Sequence, residues 1–244
     1  MFLGVDVGTG FTKAVLWNGS IVSFAIKETS GDLKPVLDSI VKEMRGFKRC
    51  CATGNGAELV EFADIREDDV TCLAIAGRRM VNADYVIDIG AQSITVVAVD
   101  EQGNVIDYVK NDKCAGGTGK FLEVMSSALG VRIEDVDSLA LKSDKKLLIT
   151  SQCAVFAESE VISHINEGES RENVISAVCD AVAKIAVSQA NKLGISGKYT
   201  MTGGVANFTS ITERIRRALR ADYVKFPNPQ LAAAIGAALL AEEL

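Results

Sequence analysis

The chain has 244 residues, 48% of them hydrophobic and 24% charged, with a formal net charge of −6. That is ordinary soluble globular composition, with enough chain to bury a substantial core as one large domain or two lobes. The acidic balance, with no basic cluster, argues against nucleic acid or an anionic membrane as partner.

In chain order, "FLGVDVG", "TKAVLWN" and "IVSFAIK" read as three strands. A helix is predicted at "DLKPVLDSIVKEM", where Leu33, Val36, Leu37, Ile40, Val41 and Met44 share one face. "KRCCATG" reads as a strand, on which Cys50 and Cys51 point to opposite faces and cannot easily share a metal. From Tyr85 the pattern starts again: "YVIDIGAQSITVVAVDEQGNVIDYVK" is strand, turn, strand, turn, strand. A long helix is predicted from about Arg171 to Leu193, stopped by Gly194. Then come strand "KYTMTGG", helix 207–220, strand "DYVKF" and helix 230–243. Strands mixed with helices predict an α/β architecture. The chain enters its first strand within three residues, without a charged segment and cleavable apolar core. "LAAAIGAALLA" is too short to span a bilayer, so a cytoplasmic, membrane-free protein is expected.

Two hairpins match. "VDVGTGFTKAVLW" and "IDIGAQSITVVAVD" each place an aspartate, Asp6 or Asp88, at a strand end before a small-residue turn and a returning strand. Glycine lets a backbone turn tightly and lets amides approach a phosphate oxygen unobstructed. The turns Gly8, Thr9, Gly10 and Gly90, Ala91, Gln92 are candidate phosphate contacts. The two carboxylates, facing each other across a cleft, would hold a hydrated Mg²⁺. Either motif alone is better read as an ordinary hairpin, but two in register favour the site. Lys13 follows the first turn, where it would touch a β- or γ-phosphate or sit as an exposed strand lysine. "TMTGGVANF" ends a strand in Gly203-Gly204 and opens a helix, a place for backbone to lie against an adenosine ribose or phosphates.

The six cysteines, at 50, 51, 72, 114, 153 and 179, include no CxxC pair, so a zinc ribbon or thioredoxin-type site is not expected. Two of them stand apart. Cys114 lies before a glycine loop and helix in "NDKCAGGTGKFLEVM", and Cys153 before a helical run in "TSQCAVFAESEVISHI". One chain thus offers two thiols where a cubane iron–sulfur cluster wants four, and a two-fold dimer supplies the count. Helix N-termini beside both thiols would favour a reduced cluster. Two metal-free core cysteines are the alternative.

Taken in order, "VDVGTGFTK", "ATGNG", "VIDIG", "NDKCAGGTGKFLEVM", "CAVFAESEVIS" and "MTGGVA" resemble the ATP-dependent activators of 2-hydroxyacyl-CoA dehydratases and the related ATPase subunits of benzoyl-CoA reductase. The resemblance runs over nearly the whole length, and the cysteine segments are its specific part. It implies a two-lobed actin-like ATPase of duplicated ribonuclease H-like domains, in the superfamily of sugar kinases and heat-shock chaperones. Residues 1–84, with part of helix 230–244, would form one lobe and 85–229 the other. It further implies a homodimer with one 4Fe-4S cluster held by Cys114 and Cys153 of each subunit. ATP-driven lobe movement would pass one electron, drawn from ferredoxin or flavodoxin, to an acyl-CoA dehydratase or reductase component. In the segment matching the family's "glutamate, Cys-His" helix, "DDVTCLAIAG" offers Asp69 as a catalytic carboxylate and Cys72, with Leu73 in place of histidine. The second hairpin departs too: Ala91 costs backbone freedom and Ser93 removes a carboxylate. A cluster-free small-molecule kinase and a regulatory ATPase are the other readings. Glu158 and Glu160 would position water, link the cluster helix to the nucleotide, or simply be solvated. His164, the lone histidine, is read as structural.

Overall fold

The computed structural model describes residues 1–29, 31–111, 114, 116–150 and 153–243. Among these residues two five-stranded sheets are built to one plan. The first begins with β1 (Phe2–Val7), β2 (Phe11–Trp17) and β3 (Ile21–Glu28), a meander of antiparallel neighbours. Helix α1 (Lys34–Glu43) then returns the chain so that β4 (Arg49–Thr53) lies parallel to β1, with β5 (Ile65–Arg66) parallel beyond it. After α2 (Asp69–Val81) the second sheet repeats the scheme. Strands β6 (Tyr85–Ile89), β7 (Ile94–Val99) and β8 (Val105–Asn111) form the meander. Helices α3 (Gly119–Ala128), α4 (Val136–Ala140), α5 (Ala154–Asn166) and α6 (Arg171–Lys192) follow. Then β9 (Lys198–Thr202) pairs parallel to β6, and after α7 (Thr209–Ala218), β10 (Asp222–Tyr223) pairs parallel to β9. Helix α8 (Ala232–Glu243) closes the chain. The strand orders, 3-2-1-4-5 and 8-7-6-9-10, therefore correspond position by position.

Alternation along each strand sends side chains into different layers. In the second sheet Ile87, Ile89, Ile94 and Val96 face a core with Phe121, Leu122, Val178 and Cys179, while Val86, Val97 and Val99 face α2. Helices α2 and α8 pack against each other, α2 on the second sheet and α8 on β1, β4 and β2 of the first. The small residues of α8 make this possible. A methyl on Gly236 would penetrate the carbonyl of Cys72, and one on Gly4 of β1 would penetrate that of Ala234. Backbone thus lies against backbone on both sides of α8.

Local signals place the helix ends. The carboxylate of Asp68 accepts the Thr71 amide at 2.7 Å and caps α2. At its other end Asn82 takes the left-handed conformation, φ 53°, that stops a helix. In α1 the expected apolar face is narrower than its pattern. Leu37, Ile40 and Met44 are buried with Leu3 and Val5 of the first sheet, but Val41 is exposed. Cys50 and Cys51 do point to opposite faces: Cys50 packs with Leu3 and Val5, Cys51 with Cys72 and Ala237. No helix among the described residues is long and apolar enough to cross a membrane.

Candidate active site and exposed thiols

The matched hairpins give the two aspartates equivalent positions. Asp6 pairs across to Lys13 on β2 and to Thr53 on β4. Asp88 pairs to Thr95 on β7 and to Thr202 on β9. At the end of the fourth strand of each sheet, β4 and β9, a threonine is followed by a glycine at φ +85°, Gly54 and Gly203. At Gly203 only glycine fits, since a methyl would collide with the carbonyl of Ile89 as well as strain the backbone. The echo of "ATGNG" in "MTGGV" carries this second equivalence in the sequence, unread there as a repeat.

The four strand ends and their loops open into one cavity of about 330 Å³. Its walls include Asp6, Gly8, Thr9, Gly10 and Lys13 from the first sheet and Asp88, Gly90, Ala91, Ser93, Gly203 and Gly204 from the second. Asp69, at the start of α2, joins them. Gln92 does not line the cavity; it is exposed at the tip of the second turn. The two turns nearly touch, since a methyl on Gly10 would lie 2.7 Å from the Ala91 Cβ. Among the described residues Asn82 alone of the non-glycines has a positive φ, so Ala91 strains nothing. The expected loss of backbone freedom is corrected to a methyl that narrows the gap between turns.

Each carboxylate in the cavity has its own partner. Lys13 Nζ lies 2.8 Å from Asp6 Oδ2, so this lysine is neither exposed nor free for a phosphate without breaking that pair. Thr202 Oγ1 donates to Asp88 Oδ1 at 2.8 Å. Lys110 Nζ contacts both oxygens of Asp69, at 2.9 and 2.8 Å. Asp88 has the least positive charge nearby. Burial pushes its pKa up to about 6, and the charges of Asp6 and Asp69 push the same way, against the Thr202 hydrogen bond and Lys13. Asp88, a desolvated carboxylate with no cation of its own among the described residues, is chemically matched to a divalent cation. Lys110 escaped the sequence reading. Its signal is present only in register: across the second sheet Asp88, Thr95 and Lys110 stand side by side.

Of the six cysteines, Cys114 and Cys153 are exposed and the other four buried. Burial pushes Cys50 up to about 12 and Cys179 up to about 11, which keeps both as thiols rather than ligands. Cys114 receives the Gly116 amide on its Sγ at 3.4 Å. Helix α3 does not begin beside it, which corrects the expectation of a helix end aimed at this thiol. The first amides of α3, Gly119 and Lys120, donate instead to the carbonyls of Gly90 and Ala91, each at 2.9 Å. Cys153 is the N-cap of α5, as expected. Asp112, Lys113, Ala115, Ser151 and Gln152 of the two cysteine motifs lie outside the described residues. Glu158 and Glu160 do not line the cavity. Glu160 accepts from the Thr150 amide and hydroxyl at 2.7 and 2.8 Å, and His164 Nε2 meets the Leu148 carbonyl at 3.2 Å. Both tie the chain leading to Cys153 onto α5, which gives His164 the structural place expected of it.

A solved protein with this fold carries a nucleotide. The activator of 2-hydroxyisocaproyl-CoA dehydratase from Clostridium difficile, solved with bound ADPNP, is 30% identical. It superposes with a TM-score of 0.93 over 100% of this chain and 95% of its own. The activator of lactoyl-CoA dehydratase from Anaerotignum propionicum is 35% identical over 99% of this chain and 97% of its own. At 13% identity, a ROK family glucokinase from Streptomyces griseus shares the fold alone, with a TM-score of 0.65 over 100% of this chain and 99% of its own. Residues 3–241 match one family throughout, and the chain belongs to it: the BadF/BadG/BcrA/BcrD ATPase family.

Proposed function

We propose that this chain is the ATP-hydrolysing activator of a partner acyl-CoA dehydratase or related reductase component, working as a homodimer around one shared 4Fe-4S cluster. The observation that carries the reading is the pair of exposed thiols, Cys114 and Cys153, in a protein that buries its other four. Two thiols fill half of a cubane's ligand set, so two chains complete it. The Gly116 amide on Cys114 suits a thiolate that holds metal, because it offsets negative charge on sulfur. Such a cluster supplies a one-electron carrier of low potential. An electron from a ferredoxin or flavodoxin would enter there.

The residues of the cavity divide the work on ATP. Asp6 and Asp88 organise the Mg²⁺ of Mg-ATP, and Lys13 balances Asp6. Gly8, Thr9, Gly10, Gly90 and Ala91 present backbone to the phosphates, with Gln92 at the rim. Gly203 and Gly204 lie against the adenosine side, and Asp69 orients the attacking water. Residues 1–84 and helix 230–244 would move as one lobe and 85–229 as the other. The packing of α8 on the first sheet supports placing that helix with the first lobe.

The test is ligand counting on protein purified without oxygen. Iron and visible absorption should correspond to four irons per two chains, and Cys114→Ala or Cys153→Ala should bleach the colour and weaken association. Cys50→Ala and Cys179→Ala should leave the iron content unchanged. A full cluster in Cys153→Ala protein would sink the shared-cluster reading.

A further inference from the structure

The segment that carries Cys114 is anchored at both ends to the walls of the nucleotide cavity. Upstream, β8, the edge strand of the second sheet, ends at Asn111, whose side-chain amide donates to the Cys114 carbonyl at 3.5 Å. Lys110, four residues before the thiol in the sequence, holds both carboxylate oxygens of Asp69. Downstream, the amides of Gly119 and Lys120 bond the carbonyls of Gly90 and Ala91, the second phosphate turn. Both anchors belong to cavity-lining residues, and between them the chain has no helix or strand of its own among the described residues.

The two anchors differ in what a ligand can do to them. The downstream pair is backbone to backbone and carries no net charge to compete for. The upstream one is an ion pair whose side chains are 22% and 26% exposed, so new charge in the cavity is poorly screened from it. A third phosphate attracts Lys110 and repels Asp69, while a divalent cation attracts Asp69. Each acts against the two-oxygen contact. A diphosphate places less charge in the cavity and leaves the pair closer to its observed geometry. Asp69 is also the first residue of α2, which packs on α8 and on the second sheet, so it cannot follow the lysine far.

We propose that Lys110 is a positioning residue that reports the third phosphate of a nucleotide at Asp69 to the loop bearing Cys114. The inference rests on the ATPase site as read above, and on Cys114 as a cluster ligand for its consequence. Its geometry involves Cys114 and not Cys153, whose approach is held by Glu160 and His164 on α5 instead.

The experiment reads the thiols themselves in full-length protein stripped of iron. Alkylation of Cys114 and Cys153 by iodoacetamide is followed by mass spectrometry with Mg-ADP and with Mg-ADPNP. In the parent the Cys114 rates should differ between the two nucleotides by about two- to thirty-fold, the span of coupling that single positions carry. Lys110→Met should bring that ratio to one while leaving the Cys153 rates as in the parent, and Lys110→Arg should restore it. Asp69→Asn, which keeps the shape and removes the charge, should behave as Lys110→Met and serves as a second arm if the methionine variant folds poorly. A parent ratio of one, or an undiminished ratio in both Lys110→Met and Asp69→Asn, overturns the proposal. Iron content of the untreated parent is measured beside it, so absence of a cluster sinks the electron-transfer reading without touching this result.

Discussion

Replacing Asp88 by asparagine should stabilise the ligand-free protein while abolishing hydrolysis. The carboxylate's pKa is raised from 3.8 to about 6, chiefly by burial and then by the charges of Asp6 and Asp69. A shift of about two units at roughly 1.4 kcal/mol each makes the ionised form cost about 3 kcal/mol of folding stability at neutral pH. The folded pKa lies above the unfolded one, so the native state holds the proton over a range where the unfolded chain has lost it. The cost is therefore absent below about pH 4, grows as pH rises towards 6, and is complete above that. Asparagine keeps an oxygen for the Thr202 hydroxyl and has no charge to desolvate. Urea unfolding in EDTA at pH 7.5 should show Asp88→Asn more stable than the parent by up to about 3 kcal/mol, and at pH 4.5 by roughly a third of that. Mg-ADP should stabilise the parent and do less for the variant, since the cation would find one carboxylate fewer. An asparagine variant that is less stable at pH 7.5, or a difference equal at both pH values, would refute the account of Asp88 as a carboxylate short of positive charge.

Two further expectations concern the scaffold. Gly236→Ala should lower stability by about 3 kcal/mol or more, at the upper end of overpacking costs, because its methyl meets a backbone carbonyl that cannot swing aside. A thermal melt within 1–2 °C of the parent, roughly the shift of a negligible change at this size, would contradict the close packing of α8 on α2. Asp68→Ala should cost about 1 kcal/mol through loss of the α2 cap, and Asp68→Ser or Asp68→Asn should recover most of it in urea unfolding.

The sequence by itself determined the elements whose signals are local. A small-residue turn between two apolar strands is legible wherever it occurs, so both hairpins, Asp6 and Asp88 were found, as was the glycine pair at 203–204. Comparing the two hairpins also implied the duplication, because equal chemistry at equal spacing folds to equal register. The exposed cysteines were separable from the others by their glycine and helix context. Tertiary structure alone decided how charges are shared. Asp69 and Lys110 are 41 residues apart and meet only because α2 is laid across the sheet that ends in β8. Lys13 reaches Asp6 because the antiparallel register sets them opposite each other, which a list of turn residues does not contain. The first amides of α3 went to the Gly90–Ala91 turn rather than to Cys114 for the same kind of reason. A helix end bonds whatever carbonyl the packing presents, and here packing presented Gly90 and Ala91. Patterns within about ten residues are written in propensity and turn chemistry, whereas partners across the fold are selected by the one arrangement that buries both sheets against α2 and α8.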